Sequence, residues 1–266
     1  MKLDTVYFAE NLEFMQKIDS DFIDLIYIDP PFYSGVDYKE FSDIWSSIDE
    51  YIDFMYPRIK EMHRILKKEG TFYLHCDVNA VFDLKPMCDK IFGGKKFRRE
   101  IIWNVGSVSG FKSQIRGWVR QHDTILYYTK SDSFTFNKQY LPYREEYIKK
   151  MFRHKDEKGR VYRKRRGGKQ YLDESPGTLI GDVWNDIYSF QTTTRSKEYL
   201  GYPTQKPEKL LRRIILSSSN EGDLIADFFC GSGTTISVAK KLGRKWIGVD
   251  SNPKAVELCK KRLDFN

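Results

Sequence analysis

Residues 223–250, DLIADFFCGSGTTISVAKKLGRKWIGVD, restrict the fold more than any other stretch of the chain. An apolar run, DLIADFF, enters a glycine turn, CGSGTT; an amphipathic segment closed by Gly243 follows, then a second apolar run, KWIGVD. Apolar runs bounded by turn residues read as buried strands, and the segment between them has the length and period of a helix. A last helix is expected over NPKAVELCKKRL. The unit is βαβ, which implies an α/β fold with a largely parallel sheet.

The N-terminal part repeats that grammar. FIDLIYID reads as a strand, SIDEYIDFMYPRIKEMHRILKKEG as an amphipathic helix ending at Gly70, and TFYLHCD as a strand. A helix over NAVFDLKPMCDKIFGG, interrupted by Pro86, precedes strand-like FRREIIWN and DTILYYTK. From Asn137 to Gly201 the periodicity fades and Gly, Pro, Thr and charge dominate, so this stretch reads as inserted. At 266 residues the chain can bury a core of enzyme size, as one domain with an insertion.

The net charge of +8 is unevenly spread. Lys95 to Lys169 holds 21 Lys or Arg against 7 Asp or Glu, a local +14 that leaves −6 for the rest. Aromatics and glycines interleave with this charge (GFKSQIRGWVRQH, GRVYRKRRGGKQY), which favours a polyanion partner over a merely solvated face. Arg163, Lys164, Arg165 and Arg166 are the candidate nucleic-acid contacts. Cys76, Cys88, Cys230 and Cys259 form no Cys-x-x-Cys pair, and His63, His75, His122 and His154 have no ligand spacing, so neither disulfides nor a structural metal are expected. No apolar run approaches a membrane span and the N-terminus lacks a signal-peptide pattern, which makes a cytoplasmic location the expectation.

The glycine turn sits where open α/β sheets bind small molecules, at the C-terminal end of a strand. It is not a dinucleotide turn, because Ile236 stands where G-x-G-x-x-G needs its third glycine, and no G-x-x-x-x-G-K-[ST] exists. A nucleoside-like ligand fits better. Asp227 opens the turn and Asp250 ends the next strand, where a carboxylate can take ribose hydroxyls or tolerate a cationic ligand; capping the last helix is the alternative role for Asp250. A second strand end carries YIDPPFYSG, residues 27–35. Asp29 there, followed by two prolines without backbone donors, presents acceptors only.

DPPF, YPTQKPEKLLRRII and DFFCGSGTT…GVD, in that order, resemble the beta group of amino DNA methyltransferases over residues 3–131 and 200–263. The resemblance implies a Rossmann-like fold dependent on S-adenosylmethionine, with helices on both faces of the sheet. It divides the chain into a catalytic half (1–136), a basic target-recognition insert (137–201) and a cofactor-binding half (202–266). Asp29, Pro30, Pro31 and Phe32 match the catalytic D-P-P-Y/F motif. Asp227, Phe229, Gly231, Gly233 and Thr234 match the cofactor loop, and Asp250 the acid on the cofactor ribose. Thr204, Lys206 and Pro207 match the segment over the cofactor's methionine part. Tyr127 or Tyr128 would border the target base, with Tyr33 and Trp103 as further aromatic candidates. The implied activity is transfer of a methyl group to the N6 amine of adenine in duplex DNA after base flipping; transfer to N4 of cytosine is the closest alternative. The resemblance also admits a homodimer and a cognate restriction endonuclease as partners, and a prokaryotic or phage source.

Overall fold

A computed structural model describes residues 1–39, 41–106, 114–190 and 196–264. In chain order its elements are β1 (Thr5–Phe8), α1 (Asn11–Met15), β2 (Ile23–Ile28), α2 (Ile48–Ile65), β3 (Leu66–Cys76), α3 (Val81–Phe92), β4 (Phe97–Asn104) and β5 (His122–Thr129). Then come β6 (Tyr140–Leu141), α4 (Glu145–Met151), β7 (His154–Lys155), β8 (Val161–Arg165), β9 (Gly168–Tyr171) and β10 (Thr178–Leu179). The chain ends with β11 (Val183–Trp184), α5 (Glu208–Ser218), β12 (Leu224–Asp227), α6 (Thr234–Lys241), β13 (Lys245–Asp250) and α7 (Pro253–Asp264). Two compact units result: Met1–Asn137 with Asp182–Asn266, and Lys138–Gly181.

In the larger unit eight strands form one sheet in the order β1-β13-β12-β2-β3-β5-β4-β11. Neighbours are parallel except where β5 runs against β3 and β4. The C-terminal ends of β2, β3, β12 and β13 therefore share one edge, and β5, being reversed, brings its first residues, His122 and Asp123, to that same edge.

Alternation along each strand sorts side chains onto two faces. Ile26, Ile28, Phe72, Leu74, Ile247 and Val249 join Met55, Ile59, Met62, Leu84 and Cys88 in one buried core beneath α2 and α3. On the other face Tyr73 reaches the Ser218 hydroxyl of α5 at 2.6 Å, and α5 packs on α6 and α6 on α7. Helices thus cover both faces.

Helix α2 starts where Ser47 accepts the Glu50 amide, with Asp49 and Glu50 in its first turn, a favourable placement for acids at the positive helix end. It stops at Ile65 rather than at Gly70. Leu66, buried and extended, pairs with Ile23, while Lys67 bonds Asp24 at 2.8 Å, so LKKEG becomes the irregular start of β3. A Cβ on Gly70 would lie 2.7 Å from the Leu66 side chain; this glycine permits close packing rather than capping a helix.

The sequence predicts an insert over 137–201, yet the separate unit closes at Gly181. Val183 and Trp184 pair with Ile102 and Trp103 of β4 and so return to the main sheet. Within the small unit β7, β8 and β9 form an antiparallel sheet, and β6 pairs with β10, so the chain enters and leaves side by side. Among the described residues no helix is long and apolar enough to cross a membrane.

Candidate active site

Asp29 follows the last residue of β2 and is partly buried. Its Oδ2 accepts a hydrogen bond of 2.5 Å from Lys206 Nζ, whereas its Oδ1 is buried without a hydrogen-bond partner among the described residues. An orphaned carboxylate oxygen is costly unless something else donates to it. The nearest candidate within the protein, His75 Nδ1, lies 3.8 Å away and is engaged by the Tyr27 hydroxyl at 2.8 Å.

His75 is fully buried at the end of β3 and ties this wall together. Its Nε2 meets Asp123 Oδ2 at 3.1 Å, and its ring stands 5.5 Å from both Phe32 and Trp103. Burial alone would raise the Asp123 carboxyl, but the His75 hydrogen bond and the Arg120 charge hold it well below the usual carboxylate range. Arg120 also bridges to Asp77 at 3.0 Å. Burial, then the charge of Asp29, pushes the Tyr27 phenol up, so Tyr27 stays protonated beside His75.

The residues after Asp29 are fixed by Asp43, which is itself buried. Its carboxylate accepts the amides of Phe32, Tyr33 and Ser34 at 3.0, 2.9 and 2.9 Å, and Trp45 Nε1 at 3.0 Å. Tyr51 donates to the Pro31 carbonyl at 2.7 Å. Tyr33 adopts φ +60°, a left-handed conformation unusual for a residue with a side chain, and its ring packs 5.9 Å from Tyr51.

Across the edge, Asp227 shapes the glycine turn. Its Oδ1 accepts the Phe229 amide at 3.0 Å and its Oδ2 the Thr235 hydroxyl at 2.6 Å. Burial pushes its carboxyl up to about 7, opposed by those two hydrogen bonds and helped by the charges of Asp29 and Asp250. Asp250 accepts the Gly231 and Asn252 amides at 2.8 and 2.9 Å; burial raises it as well. The cap of α7 is Asn252, whose side chain accepts the Lys254 amide at 2.8 Å; Asp250 only holds the turn before it, so the capping role considered for Asp250 falls to Asn252. Gly233, at φ +76°, has no room for a side chain, because a Cβ would fall 2.2 Å from Cys259 Sγ.

Asp29, Lys206, Thr204, Asp227, Gly231 and Asp250 all line one cavity of 650 Å³. Its size suits a nucleoside-sized molecule. Asp29, Asp227 and Asp250, with a glycine turn that carries no phosphate-binding lysine, fit S-adenosylmethionine, whose charge is positive, better than any phosphate ester. Phe229, Cys230 and Thr234 complete that wall.

A family model described as DNA methylase, of the N6 and N4 amino type, matches residues 23–261. The chain belongs to this DNA methylase family. It is 31% identical to the DNA adenine methyltransferase YhdJ of Escherichia coli K12, across 98% of this chain and 82% of the relative. It is 33% identical to the Type II methyltransferase M1.MboII of Moraxella bovis, across 96% and 95%. The crystal structure of the M1.HpyAVI–SAM complex matches with a TM-score of 0.64 at 19% identity, covering 98% of both chains. The PvuII cytosine-N4-specific methyltransferase matches at 0.63 and 20%, covering 97% of this chain and 85% of its own. At such identities these structures show a shared fold.

Several residues of this DNA methylase lie elsewhere than the sequence suggests. Tyr128 is buried against α3, its hydroxyl donating to Asp89 at 2.8 Å, and Tyr127 stacks on Tyr73 at 4.6 Å. Neither lines the cavity, because both sit near the C-terminal end of β5, whereas the sheet edge that carries Asp29 takes the first residues of that strand. Trp103 backs His75 and donates to the Ile187 carbonyl at 2.8 Å. Lys206, expected over the cofactor, lines the cavity and holds Asp29. Arg163 is buried in the small unit, bonded to Gln170 at 2.8 Å and to the Tyr147 hydroxyl, with Phe152 5.0 Å from its guanidinium. It packs that unit, while Lys164, Arg165 and Arg166 are exposed. His75, Asp43 and Asp123 escaped sequence reading; only the alternation of TFYLHCD, which sets Thr71, Tyr73 and His75 on one face, hinted at one of them.

Proposed function

We propose that this DNA methyltransferase moves the methyl group of S-adenosylmethionine to the N6 amine of an adenine flipped out of duplex DNA. The observation that carries this reading is Asp29: a strand-end carboxylate with one oxygen unpartnered among the described residues, in the same cavity as the glycine turn. Asp250, Asp227, Phe229, Gly231, Thr234 and Thr204 would hold the donor. When bound, it supplies an electrophilic methyl group on a sulfonium.

The residues of the chain do the rest. An adenine amine is a poor nucleophile, because its lone pair is delocalised into the ring. Asp29 and the adjacent Pro30 carbonyl each accept an N–H bond, which localises the lone pair and aims it across the crevice. The Asp29 carboxylate then stabilises the positive charge that develops on the nitrogen, and Oδ1 is placed to receive its proton. Phe32 offers a face for stacking, and Asp43 keeps that ring in place by holding its amide. Flipping costs a few kcal/mol, which such contacts offset.

An acid rather than a serine in the motif, together with the similarity to a protein named as a DNA adenine methyltransferase, supports adenine. The exposed Lys164, Arg165 and Arg166 support a role for residues 138–181 in gripping phosphates. Similarity to Type II enzymes supports a cognate endonuclease as partner, and their bacterial sources support a bacterial cytoplasm.

Incubation of duplex DNA, RNA and protein with isotope-labelled donor, followed by mass analysis of the nucleosides, tests the reading. Label in DNA as N6-methyladenine is the expected result. N4-methylcytosine alone, or label confined to RNA or protein, would overturn it.

A further inference from the structure

Lys206 stands where the target base should stand. Its Nζ donates to Asp29 Oδ2 at 2.5 Å and lies over the Phe32 ring, 5.0 Å from its centre. Oδ1 stays open to an N–H donor, but the ammonium takes the face of Phe32 on which the adenine would stack.

The Lys206 backbone is held fast. Its carbonyl accepts the Thr234 hydroxyl of the glycine turn at 3.1 Å; that hydroxyl oxygen accepts from Arg262 at 2.9 Å, and Arg262 bonds Glu208 at 2.9 Å. Next to it, the Gln205 side chain donates to the Glu198 carbonyl at 2.6 Å and accepts the Leu200 amide at 2.8 Å. What can swing is the flexible four-carbon side chain.

Charge gives that swing a cause. The cavity holds Asp29, Asp227 and Asp250. Arg58 is taken by Glu10 and Asn11, and Lys39 and Lys254 are exposed at the rim. Among the described residues, Lys206 is thus the cation that offsets Asp29. A sulfonium entering the same space carries a like charge, and in a partly buried cavity two such charges repel strongly. Methyl transfer turns the sulfonium into a neutral thioether, with the methyl group on the amine nitrogen and one amine proton released, so the repulsion ends when the reaction does.

We propose that Lys206 is a charge-sensing latch on Asp29, moved aside by the positively charged donor to admit the base and returning once the donor has become neutral, which displaces the methylated base. The latch rests on the methyl-transfer reading above and adds an order to it: donor first, base second, base released before the acid is exposed again.

The test uses the whole protein and a duplex whose target adenine has been mapped from DNA methylated by the wild type, with 2-aminopurine beside it to report unstacking. Two non-reacting ligands are compared at saturation: an amine-bearing analogue that keeps the donor's charge, and the neutral demethylated product. The wild type should open the base about tenfold more with the charged analogue, within the usual range of coupling between sites. Lys206→Met should open it equally with both, and Lys206→Arg should restore a preference for the charged analogue. Calorimetric binding of the product to each variant checks that the cavity is intact. A Lys206→Met protein that keeps the wild-type ratio, or a wild type that opens the base equally with both ligands, would overturn the latch while leaving methyl transfer standing. A wild type that methylates no adenine and opens none would instead sink the methyl-transfer reading, and the latch with it.

Discussion

Asp43, itself buried, accepts four N–H donors around Phe32 in a half-buried loop. Removing that carboxylate in Asp43→Ala should cost about 3 kcal/mol of stability and let Phe32 drift, lowering the methylation rate as well; chemical denaturation and initial rates measure the two effects. Asp227 makes a pH prediction. Its carboxyl is raised to about 7, so its contribution to ligand-free stability is full below the usual value of 3.8 and is lost as pH rises through about 7. A cationic donor prefers the ionised form. Its affinity should therefore rise about tenfold from pH 6 to pH 8, and Asp227→Asn should flatten the curve in calorimetric titrations. At this scale the sequence was legible where backbone chemistry leaves a mark, as at Gly233, which has no space for a Cβ, and Asp29, set before two prolines. It was silent on Asp43 and Asp123, whose roles depend on contacts between segments that share no pattern, and misleading on Tyr127 and Tyr128, because aromatic content does not say how far along a strand the rim lies.

Among the elements, the β8–β9 hairpin separates two roles that look alike in RKRR. Arg163→Ala should loosen the small unit, seen as faster proteolysis within residues 138–181, since it removes a buried guanidinium from among Tyr147, Gln170 and Phe152. Replacing Lys164, Arg165 and Arg166 together with alanine should leave that unit folded, weaken DNA binding, and reduce the slope of log affinity against log salt by about 2 to 3. The alternation of β8 buries Tyr162 and Arg163 at its centre, while the residues near its turn are exposed; a run of four basic residues cannot reveal this before the strand is placed. Most strands and helices were readable from period and punctuation. The end of α2 was not, because LKKEG carries a helix-like composition that pairing of Leu66 with Ile23 overrides.

Across the whole molecule, the parallel sheet explains how residues nearly two hundred positions apart meet. Asp29 directly follows β2 and Asp227 ends β12, which are adjacent strands, so both acids face one crevice. That much follows from sequence once both ends are read as α/β. The limits of the insertion do not, since Val183 and Trp184 rejoin the sheet through a pairing too short to leave a pattern. Because β6 and β10 pair, replacing residues 138–181 with a short glycine linker should preserve folding and donor binding while abolishing site-specific methylation, as read by calorimetry and by sequencing of methylated DNA. Everything in the catalytic reading converges on Asp29. The most direct test is Asp29→Ala, with methyl transfer to duplex DNA and donor affinity measured on the same preparation. Transfer should fall by at least about a hundredfold, the scale of losing one preorganised electrostatic partner, while donor affinity stays within a few-fold of wild type. Methylation at a near wild-type rate would contradict the account.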